Sequence, residues 1–138
     1  MFKKLIFGLS LWLFATTLSF GANFQEGWSA IEKGDYKTAL SIFEDLAKKG
    51  DIEAQYNLGV MYYNGYGVKQ DYKKAIEWYE KSAIQGYAKA QYNLGAVYGN
   101  GEGVRQDYKK AKEWFGKACD GGYQKGCDNY KILNQQGY

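Results

Sequence analysis

The sequence predicts an all-α fold, a short right-handed solenoid of antiparallel helical hairpins, and three observations carry that expectation. First, Gln55 to Ala90 and Gln91 to Gly126 are one 36-residue unit written twice, identical at 22 of 36 positions. A match over a whole supersecondary unit means that each copy exposes a face which only its neighbour covers. Second, apolar and aromatic residues recur at helical spacing inside each unit. Third, the 138 residues include 14 Tyr, 4 Trp and no Pro, so nothing breaks a helix interior and large rings are available for packing.

Residues 1–21 read as a secretory signal peptide. Lys3 and Lys4 precede the uncharged run Leu5 to Leu18, and Ser19 and Gly21 place small residues at alternate positions before a cut ahead of Ala22. The competing expectation is an uncleaved anchor, because Leu5 to Ala22 reaches 18 uncharged residues, about the minimum for a spanning helix. Cleavage would place the mature chain in the periplasm or outside the cell, with no stable membrane insertion. Losing Lys3 and Lys4 from 18 basic residues leaves 16 against 15 acidic ones. A nucleic-acid surface needs far more positive charge, so no nucleic-acid partner is expected.

The mature chain, 22–138, divides into four pieces. Residues 23–54 form a shorter hairpin: Gly27 to Ala39 spans 12 positions where Gly59 to Ala75 and Gly95 to Ala111 span 16, and Gly34-Asp35-Tyr36 is its turn. In the units 55–90 and 91–126 the stripes are typified by Tyr56, Val60 and Tyr63, by Leu58 and Tyr62, and by Ala75, Trp78, Tyr79 and Ser82. Gly65-Tyr66-Gly67-Val68 and Gly101-Glu102-Gly103-Val104 supply the positive φ angles of a tight reversal. Asp71 and Asp107 stand where the second helix needs an N-cap, and Gly86 and Gly122 where it stops. Residues 127–138 repeat only the opening of a unit, a single helix to about Asn134 that covers the exposed apolar end.

These residues resemble the Sel-one-like repeat family, relatives of tetratricopeptide repeats with a longer inter-helix loop. The resemblance rests on Leu58-Gly59, Tyr62, Gly65-x-Gly67-Val68, Asp71, Lys74-Ala75 and Trp78-Tyr79. It rests again on Leu94-Gly95, Tyr98, Gly101-x-Gly103-Val104, Asp107, Lys110-Ala111 and Trp114-Phe115. Gly27, Ile31, Ala39, Phe43 and Ala47 resemble an ordinary tetratricopeptide unit instead.

Cys119 and Cys127 are the two cysteines, and in an exported chain a disulfide is the first expectation. One lies near the end of a helix and the other in the first turns of the next, antiparallel helix, which suits the roughly 4.4 to 6.8 Å Cα separation of a bridge. Such a bond would pin the C-terminal cap. A redox dithiol is disfavoured, because those pairs usually occupy a Cys-x-x-Cys turn. The spacing also resembles the secreted, cysteine-rich branch of the family, although that branch normally bridges every unit and Ser82-Ala83 shows that the preceding unit has none.

Catalytic groups are scarce. The chain has no His, and its carboxylates are scattered singly along helices, so no metal site and no cofactor are expected. The glycine loops follow no strand and complete no GxGxxG pattern, so they read as turns. Some cysteine-rich relatives are classed as beta-lactamase-like or penicillin-binding, which makes a hydrolase the alternative function. Ser29, Ser41 and Ser82 are followed three positions on by Glu32, Glu44 and Gln85, so none opens a Ser-x-x-Lys motif. No catalytic residue is therefore assigned.

The leading expectation is a non-enzymatic solenoid that binds a protein or peptide along its concave surface, which the first helix of each unit lines. If the register follows tetratricopeptide units, the groove carries Tyr56, Asn57, Val60, Tyr63 and Asn64, then Tyr92, Asn93, Ala96 and Asn100, with Phe24 and Trp28 extending it. Tyr offers rigid area with one hydroxyl, and Asn both donates to and accepts from a peptide backbone. Asn57 and Asn93 could equally tie one hairpin to the next. A third possibility is a structural or immunity-type element that occludes one partner.

Overall fold

The computed structural model describes residues 23–138; the signal peptide expected at 1–21 lies outside the described residues. Among them run seven helices and no strand: α1 (23–32), α2 (Tyr36–Lys48), α3 (Ile52–Asn64), α4 (Tyr72–Ile84), α5 (Ala88–Asn100), α6 (Tyr108–Asp120) and α7 (Gln124–Gln135). From α2 onward each helix packs chiefly on the one before and the one after it, which is the all-α solenoid the repeats imply. The 36-residue period holds, but its frame differs. Helical units open at Ile52 and Ala88, three residues ahead of the frame 55–90 and 91–126, and the last helix opens at Gln124, not Cys127. Comparing two copies gives a period without a phase; the phase follows from where the preceding helix stops.

The helix starts are chemical. Asp71 and Asp107 accept the backbone N–H of Lys74 (3.1 Å) and Lys110 (2.9 Å), and Asp35 and Asp51 accept those of Thr38 (3.2 Å) and Ala54 (2.7 Å). At the repeat equivalents of Asp51 stand Tyr87 and Tyr123, which make no side-chain cap. Their rings pack instead on Tyr56 and Tyr92, at 5.2 Å in each case, so an aromatic contact anchors the entry into α5 and α7.

The long loop between the helices of a unit also has a structural reason. Gly67 (φ 70°) lies against the start of α2, where an added Cβ would come within 2.5 Å of the Tyr36 carbonyl oxygen. Gly103 (φ 71°) lies in the same way against Tyr72 at the start of α4. Each loop thus reaches back to the preceding hairpin, and Tyr66 completes the contact by stacking on Tyr36 at 4.9 Å. Gln70 and Gln106 brace the loops by donating to the carbonyls of Tyr63 and Gly99, both at 2.7 Å.

Small residues let the helices close on large rings. Ala39, Ala54, Ala75, Ala90 and Ala111 are fully buried. Gly59 and Gly95 admit the rings of Tyr79 and Phe115, which would stand 2.5 and 2.6 Å from any Cβ placed there. The pairs Trp78-Tyr79 and Trp114-Phe115 therefore divide their work: Tyr79 and Phe115 are buried, while the half-buried Trp78 and Trp114 carry the ammonium groups of Lys81 and Lys117 at 4.4 and 4.5 Å. Hairpins are tied by buried amides, Gln55 donating to the Ala47 carbonyl (3.2 Å) and Gln91 to that of Ala83 (3.1 Å). In the first unit the Gln55 oxygen accepts from Gln85 (2.8 Å); Gly121 occupies the equivalent of Gln85, and the Gln91 oxygen is buried without a partner.

Candidate functional site

Residues of α3 and α5, one repeat apart, line a cavity of about 230 Å³. Of the nine groove positions expected, it brings together Tyr56, Val60, Tyr63, Asn64, Asn93 and Ala96. Asn57 is not among its walls: the helix turns that residue inward, leaving it 8% exposed. Tyr92 lies one step along the chain of helices, its ring on Phe115 (5.4 Å) and its hydroxyl accepting from Asn129 (3.5 Å). Asn100 lines a second opening of about 400 Å³ between α5, α6 and α7. Phe24 and Trp28, both on α1, pack edge-on against Phe43 of α2 at 5.6 and 6.2 Å, covering the core on its α1 side.

Three contributors escaped the sequence reading, among them Val97 on α5, a neighbour of the expected Ala96. Tyr79, from α4, forms the floor, and Glu102, from the loop after α5, accepts a hydrogen bond from the Tyr63 hydroxyl across the repeat boundary. Neither Tyr79 nor Glu102 belongs to a first helix, the element that the groove argument considered. Burial pushes the phenols of Tyr56, Tyr63 and Tyr79 up. At Tyr63 the bond to Glu102 adds to burial and carries it to about 12, whereas Asn93 opposes the shift at Tyr56 and Tyr79.

A neutral Tyr63 is thus favoured by folding. Its contribution is complete below the ordinary phenol value of 10 and is lost as pH rises toward 12. Melting followed by circular dichroism should therefore show a shallower fall of Tm over that interval in Tyr63→Phe than in the parent. Equal slopes would contradict the assignment.

Ser82 is fully buried and donates to the Ile52 carbonyl at 2.9 Å, so its hydroxyl is a strut between the two helices of one hairpin. Cys119 at the end of α6 and Cys127 in the first turn of α7 form a disulfide, with Cα atoms 4.5 Å apart. Among the described residues no group of three or more His, Cys, Asp or Glu is gathered for a metal ion, and no helix is long and apolar enough to cross a membrane.

Two stretches, residues 52–87 and 88–123, each match the model of the Sel1 repeat, and together they make up more than half of the chain. The chain belongs to the Sel1 repeat family. The matched frame is the one that the helices define, opening at Ile52 and Ala88. Among solved Sel1-type structures, c5321, a protective antigen present in uropathogenic Escherichia coli strains and displaying an SLR fold, is 32% identical with a TM-score of 0.82. That match covers 89% of this chain and 27% of c5321. A Sel1 repeat protein from Oxalobacter formigenes is 28% identical with a TM-score of 0.78, over 86% of this chain and 50% of that one. This chain therefore spans half or less of the length of those two relatives. Helicobacter pylori cysteine rich protein B shares the fold at 22% identity and a TM-score of 0.64, over 80% of this chain and 93% of its own. As a Sel1 repeat protein, the chain is a helical repeat of a kind that typically serves protein–protein interaction and is generally a non-enzymatic scaffold.

Proposed function

We propose that this Sel1 repeat protein works outside the cytoplasm as a non-enzymatic binder of a peptide or protein segment, held along the face formed by α3 and α5. The observation that carries the reading is the convergence of six expected groove positions from two repeats on one cavity. Its walls mix rigid phenols, amides that match a peptide backbone, and small apolar side chains, the composition from which peptide contacts are built. The Cys119–Cys127 bond supports an oxidising compartment, because disulfides persist there and are reduced in the cytosol.

Affinity capture from envelope extract tests the reading. Ala96→Arg fills the cavity from its half-buried rim, and Ser41→Arg adds the same charge at an exposed site on α2. A partner retained by the parent and by Ser41→Arg, and lost with a folded Ala96→Arg, is the expected result. Identical capture by all three would remove the cavity from the function.

A further inference from the structure

The second cavity is the first one displaced by a single repeat. Adding 36 to Tyr63, Tyr79 and Ala96 gives Gly99, Phe115 and Ile132, and all three line the second opening. The α7 helix thus supplies the wall that α5 supplies to the first. The two sites share a frame and differ in furnishing. Where the first has the hydroxyls of Tyr63 and Tyr79, the second has a bare glycine and a phenylalanine, and where the first has Ala96, the second has Ile132, half exposed at its mouth.

The charge differs as well. No Lys or Arg lines the first cavity, and the Glu102 carboxylate stands beside it on the Tyr63 hydroxyl. Glu102 forms no ion pair among the described residues. Its other oxygen meets only the Asn100 amide at 3.5 Å, and a carboxylate has about four acceptor sites, so capacity for a cation remains. Phenol faces around such a carboxylate attract a cation in addition. No acidic or basic side chain lines the second cavity, and its amides are engaged within the fold, Gln106 donating to the Gly99 carbonyl and the Tyr108 hydroxyl and Asn129 to the Tyr92 hydroxyl.

We propose that the two cavities hold one extended segment of a partner polypeptide, the first taking an arginine or lysine side chain and the second an apolar side chain about three residues away. The spacing takes the first helices of successive units to stand on the order of 10 Å apart, with an extended rise of about 3.3 Å per residue. The proposal rests on the peptide-binding reading above and adds its specificity.

Selection from a random-peptide library on the folded protein tests both statements. Enriched peptides should pair a basic residue with an apolar one at that spacing. Replacing the arginine of a selected peptide by citrulline, which keeps the shape and removes the charge, should weaken binding roughly tenfold on the parent. The same exchange should have little effect on Glu102→Gln, whose amide oxygen can still accept from Tyr63. Ile132→Ser should relax the apolar preference alone. Enrichment that Ala96→Arg abolishes, but that shows no basic preference or no citrulline effect, overturns this inference and leaves the groove. Absence of enrichment, or indifference to Ala96→Arg, overturns both.

Discussion

Replacing Gly67 by alanine should destabilise the protein by about 3 kcal/mol or more, while the same change at Gly34 should cost only about 1 kcal/mol. The two glycines share a left-handed backbone, with φ of 70° and 75°, so the conformational penalty for a side chain is alike. Their surroundings are not. Around Gly34 an added Cβ meets nothing within 4 Å, whereas at Gly67 it would press on the Tyr36 carbonyl at 2.5 and 2.7 Å, backbone that cannot rotate aside. The difference between the two variants in urea unfolding measures how firmly the loop of one hairpin is seated on its predecessor. If both lose the same amount, the loop is not seated there and the account of its length fails.

The second large effect concerns the C-terminal helix. Removing the disulfide with Cys119→Ser and Cys127→Ser should cost roughly 2 to 3 kcal/mol, the loop-entropy value for a ring closed over so few residues. The loss should be local. Apart from the bond, α7 packs along α6 but buries only Gly126 and Leu133, and among the described helices α6 is its main neighbour. Hydrogen exchange should therefore quicken throughout α7 and leave α3 and α4 unchanged. Uniform quickening would mean that α7 unfolds only with the whole chain. Because α7 walls the second cavity, the variant should also lose any preference residing there.

Much of this architecture could be read from residues alone. The caps at Asp71 and Asp107, the left-handed Gly65, Gly67, Gly101 and Gly103, and the cysteine pair each carry a local chemical requirement that no distant contact overrides. The candidate site was only partly legible. The tetratricopeptide register suggested which turns of α3 and α5 face the groove but not how far each is covered by its neighbours, so Asn57 stood between a groove contact and a tie between hairpins, and the structure buries it. Glu102 was invisible for a different reason. It lies 39 residues from Tyr63, on a loop, and only the stacking of one repeat on the next brings the two together. The second cavity was latent in the 36-residue offset, since shifting the first set of walls by one period reaches it.

Packing between successive helices also governs how the chain folds and comes apart. Contacts close in sequence are made without first closing long loops, so the ordering entropy is offset step by step and folding should be fast for a chain of this size. A hairpin formed early becomes the template on which the next one condenses, in either direction along the chain. The same economy leaves the ends weakest. Opening should travel inward from α1 or α7, so that α3, α4 and α5, the elements around the first cavity, are the last to give up their protection.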